Sequence, residues 1–280
     1  MGKYNVIFVH GPKCNDGIMC AVVAKMAQPD IQVVVVSDRQ NLPDEILWKN
    51  KDVLIADFSY SRELLQKMNN GAKSLLVLDH HYSAEKDLGD LSYCTFCMDK
   101  SGCQMVWDHF FPNVNQPLLV KIIGESDRGK NTLPETTPVL DYSYCLPYEI
   151  NAWRLFMDEL ETDPSRIIEA GKLISPWKNN VIKNMVNSAF QTKLAGQIVW
   201  CLNASVFKNE AANILMTKSK FAIVFNGNEG KWYWSLRSNK IDLTEIAEKF
   251  GGGGHKGAAA FTVDYAPSPI PNSKKWRDVQ

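Results

Sequence analysis

Apolar and polar positions in the first half of the chain switch repeatedly between two periods. Residues 4–10, YNVIFVH, form an apolar run of strand length, and 16–27, DGIMCAVVAKMA, follow with helical spacing. The run 31–37, IQVVVVS, is continuously apolar and predicts a strand buried on both faces. Residues 52–58, DVLIADF, predict another strand. A helix is expected over 61–72, capped by Ser61 or Ser59 and stopped by Gly71. KSLLVLD at 73–79 predicts the next strand, and 101–111 and 116–127 carry helical periodicity. This alternation predicts an α/β fold, a mostly parallel sheet with helices on both faces.

The pattern changes after residue 148. Segments 148–160 and 163–189 are helical in period, with Asp163 and Pro164 as cap and first-turn residues. Strands return at 196–205, 220–227 and 231–238, and Gly-Asn-Glu-Gly at 227–230 predicts a hairpin between the last two. A helix over 242–250, a glycine run at 251–254 and a short strand follow. The expected organisation is a first α/β domain over 1–150, a helical linker over 151–194, and a smaller α/β domain over 195–265. The Pro- and Ser-rich segment 266–280 is expected to be an exposed tail.

Composition narrows the function. Lys plus Arg (31) equals Asp plus Glu (31), so no broad positive field exists to attract long nucleic acid. A small anionic ligand held by a few local cations fits this balance. The longest apolar runs, such as 33–36, are far short of a membrane span, and the first residues hold too short an apolar run for a secretory signal. Seven cysteines, an odd number, read as reduced thiols. A cytoplasmic location without membrane partners is therefore expected. Cys94, Cys97 and Cys103 have no second pair at zinc-ribbon spacing, which leaves them as core or loop thiols.

Four segments place acids or imidazoles where apolar runs end. His10 and Asp16 follow the first strand, Asp57 another, Asp79-His80-His81 a third, and Asp127 closes an apolar helix. Ligands of parallel sheets bind beyond the carboxyl ends of the strands, so these side chains are expected to converge. Carboxylates and imidazoles are ligands for divalent ions such as Mn²⁺, and an Asp shared by two ions suits two-metal activation of water for phosphoryl hydrolysis. Only five histidines exist, and three of them lie in these clusters. A fourth, His255, follows the glycine run, and His109 is read as an ordinary helix residue. The run GGGGHKG suits backbone N–H groups approaching a phosphate, and Arg237 in SLRS is a natural bidentate phosphate ligand.

Together, HGPKCNDG, DFSY, LDHH, KSG before a helix, SDRG followed by LP, SLRS and GGGGHKGAAAF resemble the DHH phosphoesterase superfamily over about residues 4–264. Members with the DHH-associated C-terminal domain match best, particularly oligoribonuclease (nanoRNase) type phosphodiesterases. The resemblance implies a catalytic metal-binding domain, a substrate domain, an active site in the cleft between them, and two divalent ions, Mn²⁺ first with Mg²⁺ or Co²⁺ as substitutes. It implies that His10 and Asp57 bind one ion and that Asp16, Asp57, His80 and Asp127 bind the other. It further implies that Asp79 orients His80 and that His81 faces the scissile phosphate. Arg237, Ser238, Gly252, Gly253, Gly254, His255, Lys256 and Arg128 become the substrate-binding set. Cys14 stands where the family has Asp and joins the metal ligands. Gly129-Lys130 replace an aromatic, which implies a more open or basic mouth. Ala260 stands where Gly is common.

The implied function is hydrolysis of short oligonucleotides or of linear or cyclic dinucleotides. A phosphatase for 3′-phosphoadenosine 5′-phosphate and a nucleotide-sequestering protein with an impaired first metal site stay open. A homodimer stays open too.

Overall fold

In strand β1 (Val6–His10), successive side chains face opposite ways, and both faces are covered. Ile7 and Val9 join one core cluster, and Val6 and Phe8 join another. This is why the run is apolar at every position. The computed structural model describes residues 3–37, 41–228, 230–271, 273 and 276–278. The chain separates into two units, 1–175 and 176–280.

In the first unit, α1 (Asn15–Ala27), β2 (Gln32–Val36), β3 (Asp52–Ala56), α2 (Arg62–Gly71), β4 (Ser74–Asp79), α3 (Tyr82–Leu88) and β5 (Cys94–Phe96) follow β1. The sheet order is β2-β1-β3-β4-β5, and every pairing is parallel. All carboxyl ends therefore point the same way, which gathers His10, Asp57 and the Asp79-His80-His81 turn at one edge. Helices α4 (Gly102–Phe110), α5 (Leu118–Asp127), α6 (Thr136–Ser143) and α7 (Ile150–Thr162) complete the unit. Ser61, not Ser59, caps α2, accepting from the Leu64 amide. Strand β2 departs from its expected full burial. It is an edge strand in which Val35 is 54% exposed, while Val33 and Val34 pack on opposite cores. An apolar run shows that a strand touches both layers, but it does not show the strand's place in the sheet.

Helix α8 (Pro164–Val186) follows, with Pro164 as its first residue and Asp163 accepting from the Ser165 amide at 3.1 Å. The second unit contains β6 (Phe190–Leu194), β7 (Gln197–Asn203), α9 (Lys208–Met216), β8 (Ala222–Asn228), β9 (Lys231–Arg237), α10 (Thr244–Glu248), β10 (Gly253–His255) and β11 (Ala258–Val263). Its sheet order is β10-β11-β9-β8-β7-β6, with β7 and β8 parallel and the other neighbours antiparallel. The β8–β9 hairpin is present, with Asn228 opposite Lys231 and Gly230 at φ 78°; Glu229 lies outside the described residues.

Two expected segments differ. Residues 151–194 are not a separate linker: α7 packs Trp153, Phe156, Met157 and Leu160 into the first core, and Phe190–Leu194 is an edge strand of the second sheet. Helical period alone does not say which core receives the apolar stripe. Nor is 266–280 simply an exposed tail. The Thr192 hydroxyl donates to the Ser268 carbonyl at 2.7 Å, the Ile270 amide donates to Gln191 O at 2.9 Å, and Trp276 meets Trp200 edge-on at 4.9 Å. Residues 272, 274, 275, 279 and 280 lie outside the described ones. Among the described residues, no helix is long and apolar enough to cross a membrane.

Candidate metal centre

Asp57 follows β3 directly, and its backbone stands at φ 67°. A left-handed conformation costs a non-glycine residue on the order of 1–3 kcal/mol, least for Asp and Asn. The Asp57 amide donates to Leu78 O at 3.0 Å, tying the strained residue to β4. The two carboxylate oxygens then face different groups. Oδ2 lies 3.3 Å from Cys14 Sγ and 3.6 Å from His10 Nδ1, while Oδ1 lies 3.2 Å from His80 Nε2.

Asp16 sits in the first turn of α1, almost fully buried, against the N-terminus of α4. Its Oδ1 accepts from Ser101 Oγ and from the Cys103 amide, both at 2.9 Å, and its Oδ2 accepts from the Gly102 amide at 2.7 Å. The first-turn amides and the helix dipole both favour a carboxylate there. Ser101 and Gln104 form a capping box that fixes this turn. Position 102 admits only glycine, because a Cβ would stand 2.5 Å from Asp57 Cβ. Asp16 Oδ2 is 3.8 Å from His80 Nε2. Asp127, the last residue of α5 and the most exposed of these acids at 32%, brings Oδ2 within 3.3 Å of the same nitrogen.

Asp79 ends β4 with no accessible surface. Its Oδ1 accepts the His80 amide (2.7 Å), the His81 amide (3.2 Å) and His81 Nδ1 (2.7 Å), while Oδ2 accepts from Ser59 Oγ at 2.6 Å. The imidazole that Asp79 orients is therefore His81, not His80 as the resemblance implied. An Asp at the start of a turn folds its carboxylate back under the next two amides, which places the ring two residues on within reach.

The electrostatics follow from burial against pairing. Burial works to raise the Asp57 pKa, but hydrogen bonds from His10 and His80, with the charges of His10 and His81, outweigh it and hold the carboxyl far below the usual range. Asp79 is likewise held at about 2, burial being overcome by the His81 charge and by bonds from His81 and Ser59. Burial raises Asp16 well above its ordinary value, and the Asp57 and Asp127 charges add to this. Partial burial and the Asp57 charge raise Asp127. Burial would lower His80, yet the Asp57 hydrogen bond and the charges of Asp127 and Asp16 lift it to about 9. Burial first, then Asp57 and Asp16, push the Cys14 thiol up. Buried acids at this density persist when they are paired or coordinate a cation. Two donor sets, His10-Cys14-Asp57 and Asp16-Asp57-His80, each gather within 4.8 Å. Carboxylate, imidazole and thiol are all divalent-metal ligands, so the residues present fit such ions.

The expected substrate residues of the second unit are less uniform. Arg237 ends β9 and donates from Nε and Nη2 to Asn209 Oδ1 at 3.0 and 2.7 Å. Lys208, which sequence reasoning missed, donates to Asn226 Oδ1 at 3.0 Å, and burial together with the Arg237 charge lowers its pKa. Ser238 is structural: its buried hydroxyl donates to Lys220 O at 2.9 Å and accepts the amides of Lys240 and Ile241. The glycine run is not an open phosphate-cradling loop. Gly253, Gly254 and His255 pair with Ala260, Ala259 and Ala258 as β10. A Cβ at Gly252 would stand 2.1 Å from Ala260 O, and one at Gly254 (φ 143°) would stand 2.4 Å from Ala258 O. The glycines are needed for close approach of backbone to β11, a requirement that looks the same in sequence as approach to a ligand. His255 is half-buried, and the Lys256 carbonyl accepts from the Leu243 amide at 2.9 Å. Arg128 turns back on its own helix, donating from Nε to Gly124 O at 3.0 Å.

Other features left little trace in the sequence. Tyr148 donates to Asn15 Oδ1 at 2.6 Å beside Cys14, and burial of the phenol together with Cys14 pushes it up to about 12. Nothing local signals that contact. Ser101 and Gly102, by contrast, show in the SGCQ spacing of a capping box. His109 behaves as an ordinary helix residue, within 3.1 Å of Tyr4 Oη. Cys94 and Cys97 are free thiols and join no metal-ligating group among the described residues.

Residues 192–272 match the DHHA1 domain. An uncharacterized protein of Acanthamoeba polyphaga mimivirus is 31% identical over 255 residues, which cover 85% of this chain and 59% of the relative. An uncharacterized protein of Mycoplasma pneumoniae is 46% identical over 52 residues, covering 19% of this chain and 16% of that one. The chain thus spans less than two thirds of the length of these relatives. Among solved structures, an exopolyphosphatase-related protein from Bacteroides fragilis shares the fold, with a TM-score of 0.52, 13% identity, and coverage of 93% of this chain and 87% of that one.

Proposed function

We propose that this chain, whose residues 192–272 match the DHHA1 domain, is a divalent-metal-dependent phosphodiesterase of the DHH superfamily for short oligonucleotides or linear or cyclic dinucleotides. The observation that carries the reading is Asp57: one oxygen faces His10 and Cys14, and the other faces His80. A single strained carboxylate thus serves two donor sets at the carboxyl edge of a parallel sheet. His10, Cys14 and Asp57 would hold one ion; Asp16, Asp57, His80 and Asp127 would hold the other, for which Mn²⁺ is the favoured metal. Such ions, when bound, lower the pKa of water and neutralise charge on phosphoryl oxygens.

The remaining chemistry belongs to the chain. Asp79 fixes the His81 ring through Nδ1, which leaves Nε2 as the atom that moves a proton at the departing oxygen. Asp16 is immobilised by three donors of the α4 turn, so His80 and Asp57 meet a rigid neighbour. Arg237 and Lys208 offer cations for a substrate phosphate. A zero formal net charge suits a short substrate bound locally rather than a long polyanion.

Cys14 favours a second reading, a nucleotide-sequestering protein with a weak first metal position. Metal-stripped protein supplied with Mn²⁺, Mg²⁺ or Co²⁺ separates the two. The panel is di- to pentaribonucleotides, cyclic dinucleotides and 3′-phosphoadenosine 5′-phosphate. Turnover of a diester substrate is expected. Release of phosphate from the adenosine bisphosphate alone would move the assignment to a phosphomonoesterase, and tight nucleotide binding without turnover would establish the sequestering role.

A further inference from the structure

We propose that the two halves of the metal centre are chemically unequal. His10, Cys14 and Asp57 form a thiolate site that selects a borderline ion such as Zn²⁺ or Co²⁺, beside an oxygen-rich site of Asp16, Asp57, His80 and Asp127 for Mn²⁺ or Mg²⁺. The inference rests on the reading of this cluster as a metal centre and concerns which ion each half prefers.

The donor atoms differ in kind. The first set offers one imidazole nitrogen, one sulfur and one carboxylate oxygen. The second offers three carboxylates and one imidazole. Thiolate favours softer ions, and carboxylate favours Mg²⁺ and Mn²⁺, whatever the general order of affinities. Three protein ligands of mixed N, S and O type, with a position left over, are also the pattern of catalytic zinc.

Spacing agrees. Asp57 Oδ2 stands 3.3 Å from Cys14 Sγ and 3.6 Å from His10 Nδ1. Metal–ligand bonds of 2.0–2.3 Å in a tetrahedron give edges of about 3.5 Å, so these donors can close on one ion with little movement. The second set is short of free oxygen lone pairs at one member. Asp16 Oδ1 already accepts two hydrogen bonds and Oδ2 one, which leaves one lone pair on Oδ2, the atom 3.8 Å from His80 Nε2. Asp16 is thereby fixed as a single-oxygen ligand to the second position.

Helix capping does not account for Cys14. Its sulfur accepts from the Gly17 amide at 3.4 Å, but sulfur is a weak acceptor, and Ser, Asp or Asn would cap α1 better. On metal binding, the Cys14 S–H bond breaks, a sulfur–metal bond forms, and the proton passes to solvent. No electron is transferred.

The test is spectroscopic and needs no turnover. Metal-stripped protein is titrated with CoCl₂ and read in the near ultraviolet. A sulfur-to-cobalt charge-transfer band that saturates at one ion per chain is expected, and it should survive excess Mn²⁺ and disappear on adding Zn²⁺. Cys14→Ser should lose the band, and Asp127→Asn should keep it. Cys14→Asp, which restores an oxygen donor and a good N-cap, should also lack the band while gaining about tenfold or more in Mn²⁺ affinity at that position. Thermal melting of each variant checks that the fold is intact. No band in the parent protein, or an unchanged band in Cys14→Ser, overturns the proposal. A band without hydrolysis of any substrate leaves this inference standing and removes the phosphodiesterase reading; hydrolysis without a band does the reverse.

Discussion

Asp16, Asp57 and Asp127 of the first unit crowd within 4 Å of one imidazole nitrogen, His80 Nε2. In the second unit Arg237 and Lys208 direct their donors to the amide side chains of Asn209 and Asn226. The acids are held in mutual repulsion by backbone: a left-handed Asp57, a first-turn Asp16, a helix-end Asp127. These amide oxygens are neutral acceptors, which an incoming anion can displace at smaller cost than a carboxylate. On the proposed reading, one region is a mould for positive charge and the other a surface for a negatively charged ligand. Function tolerates change in the two to different degrees.

Substitutions can break or sharpen this contrast. The largest effect is expected at Asp57. Asp57→Ala should remove metal uptake, measured by titration, and lower turnover on the order of 10³-fold or more, since both donor sets lose their shared member. Asp57→Asn should lose as much activity, and its metal-free form should melt below the parent's temperature near neutral pH, because Asn tolerates φ 67° but the buried imidazoles lose the charge that holds the Asp57 carboxyl below its ordinary range. Next comes Asp79→Asn, expected to lower kcat by roughly 10–100-fold with metal content unchanged, because His81 loses its orienting carboxylate. Gly102→Ala should destabilise by about 1–3 kcal/mol in denaturant melts through overpacking against Asp57, and should weaken metal binding with it. The smallest pair separates binding from structure in the second unit. Arg237→Ala should raise KM about tenfold with little loss of melting temperature, whereas Ser238→Ala should cost about 1–2 kcal/mol of stability and leave KM alone.

The mould was more readable from sequence than the surface. Apolar runs that end in His10, Asp57 and Asp79 announce a parallel sheet, and parallel strands bring their ends together by topology alone. The finer partnerships were not readable. Whether Asp79 serves His80 or His81 depends on how one turn folds, and both readings satisfy the same three letters. The glycine run is ambiguous for a related reason. Close backbone approach demands glycine whether the neighbour is a phosphate or Ala260 O, and only the paired strand distinguishes them. Lys208 and Tyr148 sit among ordinary residues, and their placement is a product of tertiary packing. The apolar stripe of α7 was visible, but its destination in the first core was not.

Asp16 grips the Ser101 hydroxyl and the amides of Gly102 and Cys103, all buried, at the start of a helix whose other face lies in the core. Those two amides can meet solvent only when α4 lifts from α1. Their hydrogen–deuterium exchange therefore reports how often the centre comes apart, residue by residue and without any substrate. Exchange close to the global unfolding limit would mean that the ligands of the centre and the hydrophobic core open as one cooperative unit.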